Sequence, residues 1–494
     1  MTHEQEFEPS QLRFRPDEIE ITDAAPFAND KLERQPFVEA VTDLLKAIRE
    51  PFVVALNAPW GSGKTTTLGL LKPELARADI TTVSFNAWEV DDATDPLVPL
   101  VAALHDRLLE IKGFPRGLDL SKIDRFKKLG NSILKHGAIA AVKVATAGIV
   151  DIGATAEGIA KAAGDAALKA SEDLTVDLID NFKRERQAAD QFRHLLGELI
   201  SYVRVSTPDG EEYPPLVLVI DELDRCRPTF AIAMLERIKH FFSVPGLVFV
   251  LALDLEQLKA STRKVYGGEL DATEYLRRFV DLELRLPRAD LGNMVNAMLT
   301  SCGADSFFEA RSHSVILRED RGWIVQILKN LAHHFDLSPR VVQRMVSRLM
   351  LVVRQTTPET YLDPIIVVFL IFLRMHDEQM LRGLVTGQVQ ADQAMAALRA
   401  ISPGGEAFYN SHPGKMIEAN LLYAHTSAHH EYVALLMERA NTATAPKSAE
   451  DVRLLEVCRL YESLRRTYFS RSWIDLREID RRINLVATDL KVDR

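Results

Sequence analysis

The sequence predicts an α/β protein, in which a parallel sheet flanked by helices precedes an all-helical region. Three observations carry this expectation. Five short apolar runs rich in β-branched residues are separated by helical stretches up to about residue 287. Each run is apolar almost continuously, as in strands buried on both faces, rather than alternating as in a half-exposed sheet. Beyond Pro287 the pattern becomes almost wholly helical and stays so to the end.

The runs are Phe52–Asn57, Ile80–Phe85, Leu216–Asp221, Leu247–Asp254 and Val280–Leu286. Alternation with helices makes the sheet doubly wound with right-handed crossovers. Before the third run, Leu178, Phe182, Leu195, Leu196, Leu199 and Val203 recur close to a 3.6-residue period and read as a helix. Later helices are expected over Gly322–Phe335, Pro339–Val353, Pro364–Leu384 and Glu450–Phe469. The apolar stretch Ile365–Leu373 is too short to span a bilayer and reads as a core helix.

At 494 residues the chain is too long for one core. The expected division is an N-terminal arm over 1–30, an α/β domain over 31–290, a lid-like helical region over 291–355 and a C-terminal helical domain over 356–494. A helical insertion at about 115–180 contains the Ala/Gly-rich stretch Lys135–Ala170. Its small residues suit close helix approach, yet Lys143, Asp151, Glu157, Lys161 and Asp165 interrupt it, so membrane association is not expected. A hydrophobic content of 47% with 26% charged residues describes a folded chain, and the net charge of -10 gives no overall field that would gather nucleic acid. Cys226, Cys302 and Cys458 lie far apart, without zinc-site spacing or a disulfide framework. The polar, acidic N-terminus excludes a secretory signal, and a cytoplasmic location is expected.

The chemistry begins in FVVALNAPWGSGKTTTLGLLK, where Trp60, Gly61, Ser62, Gly63, Lys64, Thr65 and Thr66 follow a buried strand and open a helix. In that context successive backbone N–H groups and the helix N-terminus converge on phosphate oxygens. Lys64 would reach the β and γ phosphates of ATP, and the Thr65 hydroxyl would ligate Mg2+. Ala58 replaces the first glycine of the loop pattern, which predicts a slightly reshaped entrance. Trp60 and Trp88 read either as covers for the nucleotide or as core, with core the expectation.

In PPLVLVIDELDRCRP, an apolar run delivers Asp221 and Glu222 to the C-terminal end of a strand, where parallel sheets bind ligands. Asp221 would hold the metal through water, and Glu222 would polarise the attacking water. Asp224 and Arg225 read either as an ion pair shaping the turn or as catalytic groups. Asp254, after the fourth run, is either a polar sensor of the γ-phosphate or the N-cap of the next helix. Arg278 and Arg340 are candidate arginine fingers, with surface ion pairs as the alternative. Near the C-terminus, Arg459, Arg465, Arg466, Arg471, Arg477, Arg481 and Arg482 interleave with Tyr461, Tyr468, Phe469 and Trp473. Acidic neighbours make an amphipathic helix or protein interface the expectation there, and nucleic-acid binding is not indicated.

WGSGKTT, FNAWE at Phe85–Glu89, IDELDRCRP at Ile220–Pro228, LERIKHFF at Leu235–Phe242 and FVLALDLEQL at Phe249–Leu258 together resemble the KAP family of P-loop NTPases over about residues 30–290. The resemblance implies ATP hydrolysis coupled to a conformational or assembly change, with protein partners or homo-oligomer contacts through the helical region. Members often carry membrane helices between the two phosphate motifs, where this chain has its charged Ala-rich stretch. Relatives without spans imply a role in defence against phages and mobile elements. The alternatives are a nucleotide-gated scaffold and a membrane-organising ATPase.

Overall fold

A computed structural model of the chain describes residues 12–16, 20–110, 125–126, 128, 186–201, 214–424, 433, 438, 448–467 and 474–485. The Ala/Gly-rich stretch, with Leu178, Phe182 and Val203, lies outside the described residues, as do Tyr468, Phe469, Arg471 and Trp473. The chain divides into two compact units, one of Ile21–Ala28 and Arg34–Pro287, the other of Met1–Glu20, Asn29–Glu33 and Arg288–Arg494.

The α/β unit holds a five-stranded sheet in the order β2-β3-β4-β1-β5. Its strands are β1 (Phe52–Asn57), β2 (Thr82–Asn86), β3 (Leu216–Asp221), β4 (Leu247–Leu253) and β5 (Leu282–Arg285), and every pairing is parallel. Position in the sheet explains their composition. All seven residues of central β4 are buried, whereas edge strand β5 has no buried residue and leaves two exposed. The described helices of this unit are α1 (Gln35–Ala47), α2 (Lys64–Arg77), α3 (Leu97–Glu110), α4 (186–201), α5 (Pro228–Phe241), α6 (Leu255–Tyr266) and α7 (Ala272–Leu276).

Strand periodicity sends alternate residues to opposite layers. Val217 and Val219 of β3, with Val248 and Val250 of β4, pack on Val38, Val41, Leu70 and Leu71 of α1 and α2. Leu216, Leu218 and Ile220, with Phe249 and Leu251, pack on Leu100, Leu104, Phe192, Leu196 and Leu235 of the other layer. In that layer Phe126, Phe192, Phe242 and Phe249 form a ladder, with successive ring centroids 4.8, 5.6 and 5.9 Å apart. The strand ends are level, since Asn86 is in register with Asp221, Asp221 with Ala252, and Asn57 with Leu253. The turns that follow β1, β2, β3 and β4 therefore leave one edge together.

The described helices of the other unit are α8 (Leu291–Ser301), α9 (Asp305–Ala310), α10 (Asp320–His334), α11 (Pro339–Arg354), α12 (Pro364–His376), α13 (Glu378–Thr386), α14 (Ala391–Arg399), α15 (Gly405–Asn410), α16 (His412–Ala424), α17 (Ala449–Thr467) and α18 (Leu476–Asn484). Its hydrophobic core runs from Leu12 and Leu32 to Ile483. Every residue from Pro364 to Leu373 is buried there, so the apolar run of α12 is core. The single helix expected over Pro364–Leu384 is two. Asp377 takes non-helical dihedrals (φ -149°, ψ 85°) and its carboxylate accepts from Met380 N–H, ending one helix and capping the next. Arg311 with Asp320 and Arg453 with Glu418 are buried ion pairs of this unit. Burial pushes the Asp320 carboxyl up to about 6 despite the Arg311 guanidinium.

The aromatic ladder yields a test of how the sheet is held. Phe192 is fully buried between Phe126 and Phe242. Phe192→Ala is expected to destabilise the α/β unit by about 3–5 kcal/mol, read by chemical denaturation. A loss under about 1 kcal/mol would mean that α4 is not integral to this core.

Candidate functional site

The loop between β1 and α2 is shaped by its glycines. Gly61 and Gly63 hold φ of 79° and 93°, a region that a Cβ disfavours. Ala58 has no positive φ, so the alanine at the first-glycine position causes no strain there. It is instead tied to the sheet, its N–H donating to Leu253 C=O at 3.2 Å. Several of the loop carbonyls are held from behind. Ser62 N–H and Oγ donate to Pro59 C=O (3.3 and 2.7 Å), and Thr67 N–H and Oγ1 donate to Gly63 C=O (both 2.9 Å). Helix α2 starts at Lys64, so the N–H groups of its first turn, Thr66 among them, add the positive end of the helix dipole.

Lys64 Nζ donates to Ala58 C=O at 2.5 Å and lies 3.9 Å from Asp224 Oδ2. Burial lowers its pKa, while Asp224, Asp254 and Asp221 act to raise it. Thr65 Oγ1 donates to Asp221 Oδ2 at 2.8 Å, joining the first turn of α2 to the end of β3. Adjacent ligands of an octahedral ion at 2.0–2.1 Å lie about 2.9 Å apart, so this hydroxyl and carboxylate are spaced as two such ligands. Burial raises the Asp221 pKa; the Thr65 and Glu222 N–H hydrogen bonds act against it, and the charge of Asp224 reinforces it.

Glu222 stands beside Asp221 with φ 62°, a left-handed backbone for a non-glycine residue. Its N–H donates to Asp221 Oδ1 at 2.8 Å, which holds the turn. Its carboxylate is paired with Arg225, Nη1 to Oε1 at 2.7 Å, and the Arg225 guanidinium lies 5.5 Å from the Trp88 ring centre. Asp224 does not pair with Arg225. Buried, it accepts from Trp60 Nε1 and, at 3.0 Å, from the Asp254 N–H, so it fastens the phosphate loop to the end of β4. Asp254 caps α6, accepting from Glu256 N–H at 3.1 Å. Trp60 and Trp88 are 47% and 53% exposed, so neither is core. A half-exposed indole here has its polar edge or ring face claimed by Asp224 or Arg225, which composition does not reveal.

Two further candidates remain. Arg278 is exposed; its backbone C=O accepts from Lys239 Nζ at 2.8 Å and its N–H donates to Tyr275 C=O at 3.2 Å. Arg340 is exposed at the start of α11, in the other unit. Three residues enter the site unannounced. Arg34, 2% exposed, donates to the C=O of Ser62 at 3.2 Å. Asp91 accepts from Arg227 N–H at 2.9 Å, and Asn57 Nδ2 donates to Glu283 at 2.7 Å. No motif marks them, because each acts through backbone groups or through a neighbour distant in sequence. Cys226 is inert, its thiol pushed up to about 12 by burial and nearby carboxylates.

The profile of the KAP family P-loop domain matches residues 34–356. Two solved structures of the Aeropyrum pernix ORC2 protein resemble the chain. Its ADPNP–ADP complexes agree at 12% identity and a TM-score of 0.28, and its ADP form at 12% and 0.26. Each likeness covers 87% of this chain and 94% of the other, and neither score is high enough to carry an inference. No curated protein matches the chain. Among the described residues no helix is long and apolar enough to cross a membrane, and no group of three or more His, Cys, Asp or Glu is arranged to hold a metal by itself.

The raised pKa of Asp221 has a consequence for stability. A carboxyl whose folded pKa exceeds its unfolded value favours the fold only while protonated, and that contribution is lost as pH rises through the folded value. Ionised Asp221 therefore opposes folding at neutral pH. Asp221→Asn is expected to raise the melting temperature at pH 7.5, with the gain shrinking as pH approaches the reference value of 3.8. Scanning calorimetry at the two pH values checks both signs.

Proposed function

We propose, from the premise that this chain belongs to the KAP family of P-loop domains, that it binds ATP with magnesium at the β1–α2 loop and hydrolyses it in a cycle of conformational or assembly change. The observation that carries this reading is the 2.8 Å hydrogen bond between Thr65 and Asp221, which sets the phosphate loop against the acidic end of β3. In this reading the N–H groups of Gly61–Thr66 and the Lys64 ammonium hold the phosphates, and Trp60 flanks them. Lys64 would exchange the Ala58 carbonyl for a phosphate oxygen.

Thr65 and Asp221 would hold the magnesium ion, which neutralises charge on the phosphates when bound. Asp254, on the far side of Asp224, is assigned as the polar sensor in addition to its capping role. Glu222 is assigned as the base that orients and deprotonates water. Its Oε1 is paired with Arg225, and Oε2 would accept the water proton. Arg278 and Arg340 remain finger candidates offered to a second copy or a moving unit, and the helical region would transmit the change to protein partners. The setting we assign, a cytoplasmic defence system against phages and mobile elements, is supported by family resemblance.

The Glu222–Arg225 ion pair favours a second reading, a nucleotide-gated scaffold that binds ATP with little turnover. Single-turnover hydrolysis by the purified protein separates the two, since a scaffold would hold ATP intact for many minutes.

Two variants test the assignments. Lys64→Ala is expected to abolish binding at millimolar ATP, read by calorimetry, because the point cation is lost from a fixed cradle; wild-type affinity would sink the phosphate site. Glu222→Gln is expected to slow hydrolysis by about 10²–10⁴ while leaving affinity equal or slightly higher. Wild-type turnover by that variant would remove Glu222 as the base and make Asp224 the next to test.

A further inference from the structure

An anion nest requires loop N–H groups to face inward, and each trans peptide plane that turns an N–H inward turns the preceding carbonyl outward. Those outward carbonyls need donors behind them, or they are buried unpaired. In this loop the donors for Ala58, Pro59 and Gly63 come from Lys64, Ser62 and Thr67, all within the loop or the first turn of α2. The Ser62 carbonyl is served from elsewhere, by Arg34 Nη2 at 3.2 Å. The plane that carries this carbonyl also carries the Gly63 N–H, the donor immediately before Lys64 at the helix start.

Arg34 is itself held. Its side chain is buried just ahead of α1, and Nη1 donates to the carbonyl of Pro287, the last residue of the α/β unit before the chain leaves it. A planar guanidinium can serve two carbonyls in fixed directions at once, which an ammonium on a flexible stem does poorly. It also places a permanent positive charge behind the loop.

We propose that Arg34 is a positioning residue for the phosphate-binding loop. It aims the Gly63 N–H by gripping the Ser62 carbonyl, and it takes its own bearing from Pro287. The proposal rests on reading the loop as the phosphate site. It makes nucleotide affinity depend on a side chain that touches no phosphate.

The test uses the full chain and titrates magnesium ADP and magnesium ATPγS by calorimetry. Arg34→Ala is expected to weaken both by about tenfold to a hundredfold, the usual worth of a charge-assisted hydrogen bond. In turnover assays KM should rise while kcat stays within about threefold, because Asp221 and Glu222 are untouched. Leu235→Ala, which opens the core of the same unit away from the loop, serves as the control for general loosening and should keep wild-type affinity. Affinity within twofold of wild type for Arg34→Ala, or equal losses in both variants, overturns the proposal. Where Arg34→Ala fails to fold, Arg34→Lys is read instead: a smaller loss in the same direction supports the role, and full affinity refutes it. Retained affinity in Lys64→Ala would instead reject the phosphate site itself, so the two failures are distinct.

Discussion

The whole site depends on β4 lying between β1 and β3. Parallel neighbours are about 4.8 Å apart, so one interposed strand separates the phosphate loop from the Asp221–Glu222 turn by about 10 Å. That gap is wide enough for an anionic ligand and narrow enough for side chains to close. Thr65 and Asp221 close it on one side by a direct hydrogen bond. Asp224 closes it on the other, joined to Trp60 of the loop and to the backbone after β4. Without the level register of the strand ends, neither contact would form.

The same arrangement concentrates carboxylates where water is scarce. Asp221, Asp224 and Asp254 all act on Lys64, and burial opposes the charged form of both Lys64 and Asp221. Charges at close quarters in a low dielectric are expensive unless a counter-charge or ligand arrives. The resting structure answers with internal partners: Lys64 on its own loop carbonyl, Glu222 on Arg225, Asp224 on an indole N–H. Under the proposed function, Lys64 would exchange its carbonyl partner for a bound phosphate oxygen. The left-handed backbone of Glu222 is a further cost retained at this edge.

Much of this was legible because it is local. Apolar runs of β-branched residues placed the strands within two residues of where they lie, and Phe52–Asn57 and Leu216–Asp221 are placed to the residue. Glycines at 61 and 63 announced a backbone that only they adopt comfortably. An Asp–Glu pair closing an apolar run announced a carboxylate at a strand end. What misled was equally local. Alanine at 58 and tryptophans at 60 and 88 were judged by residue type, whereas their surroundings decide them. Asp377 broke a helix that hydrophobic pattern alone would have continued.

The sequence by itself determined the layered α/β sheet, the phosphate loop and the acidic turn, since strand burial, positive φ and helix starts are properties of short segments. Tertiary structure alone decided the partners: Asp224 with Trp60, Glu222 with Arg225 beneath Trp88, and Arg34 with the carbonyls of Ser62 and Pro287. Those pairings join residues up to 253 positions apart or choose between nearby equivalents. The choice follows from where strand order and helix packing bring donors and acceptors together, and no periodicity along the chain encodes a distance between strand ends.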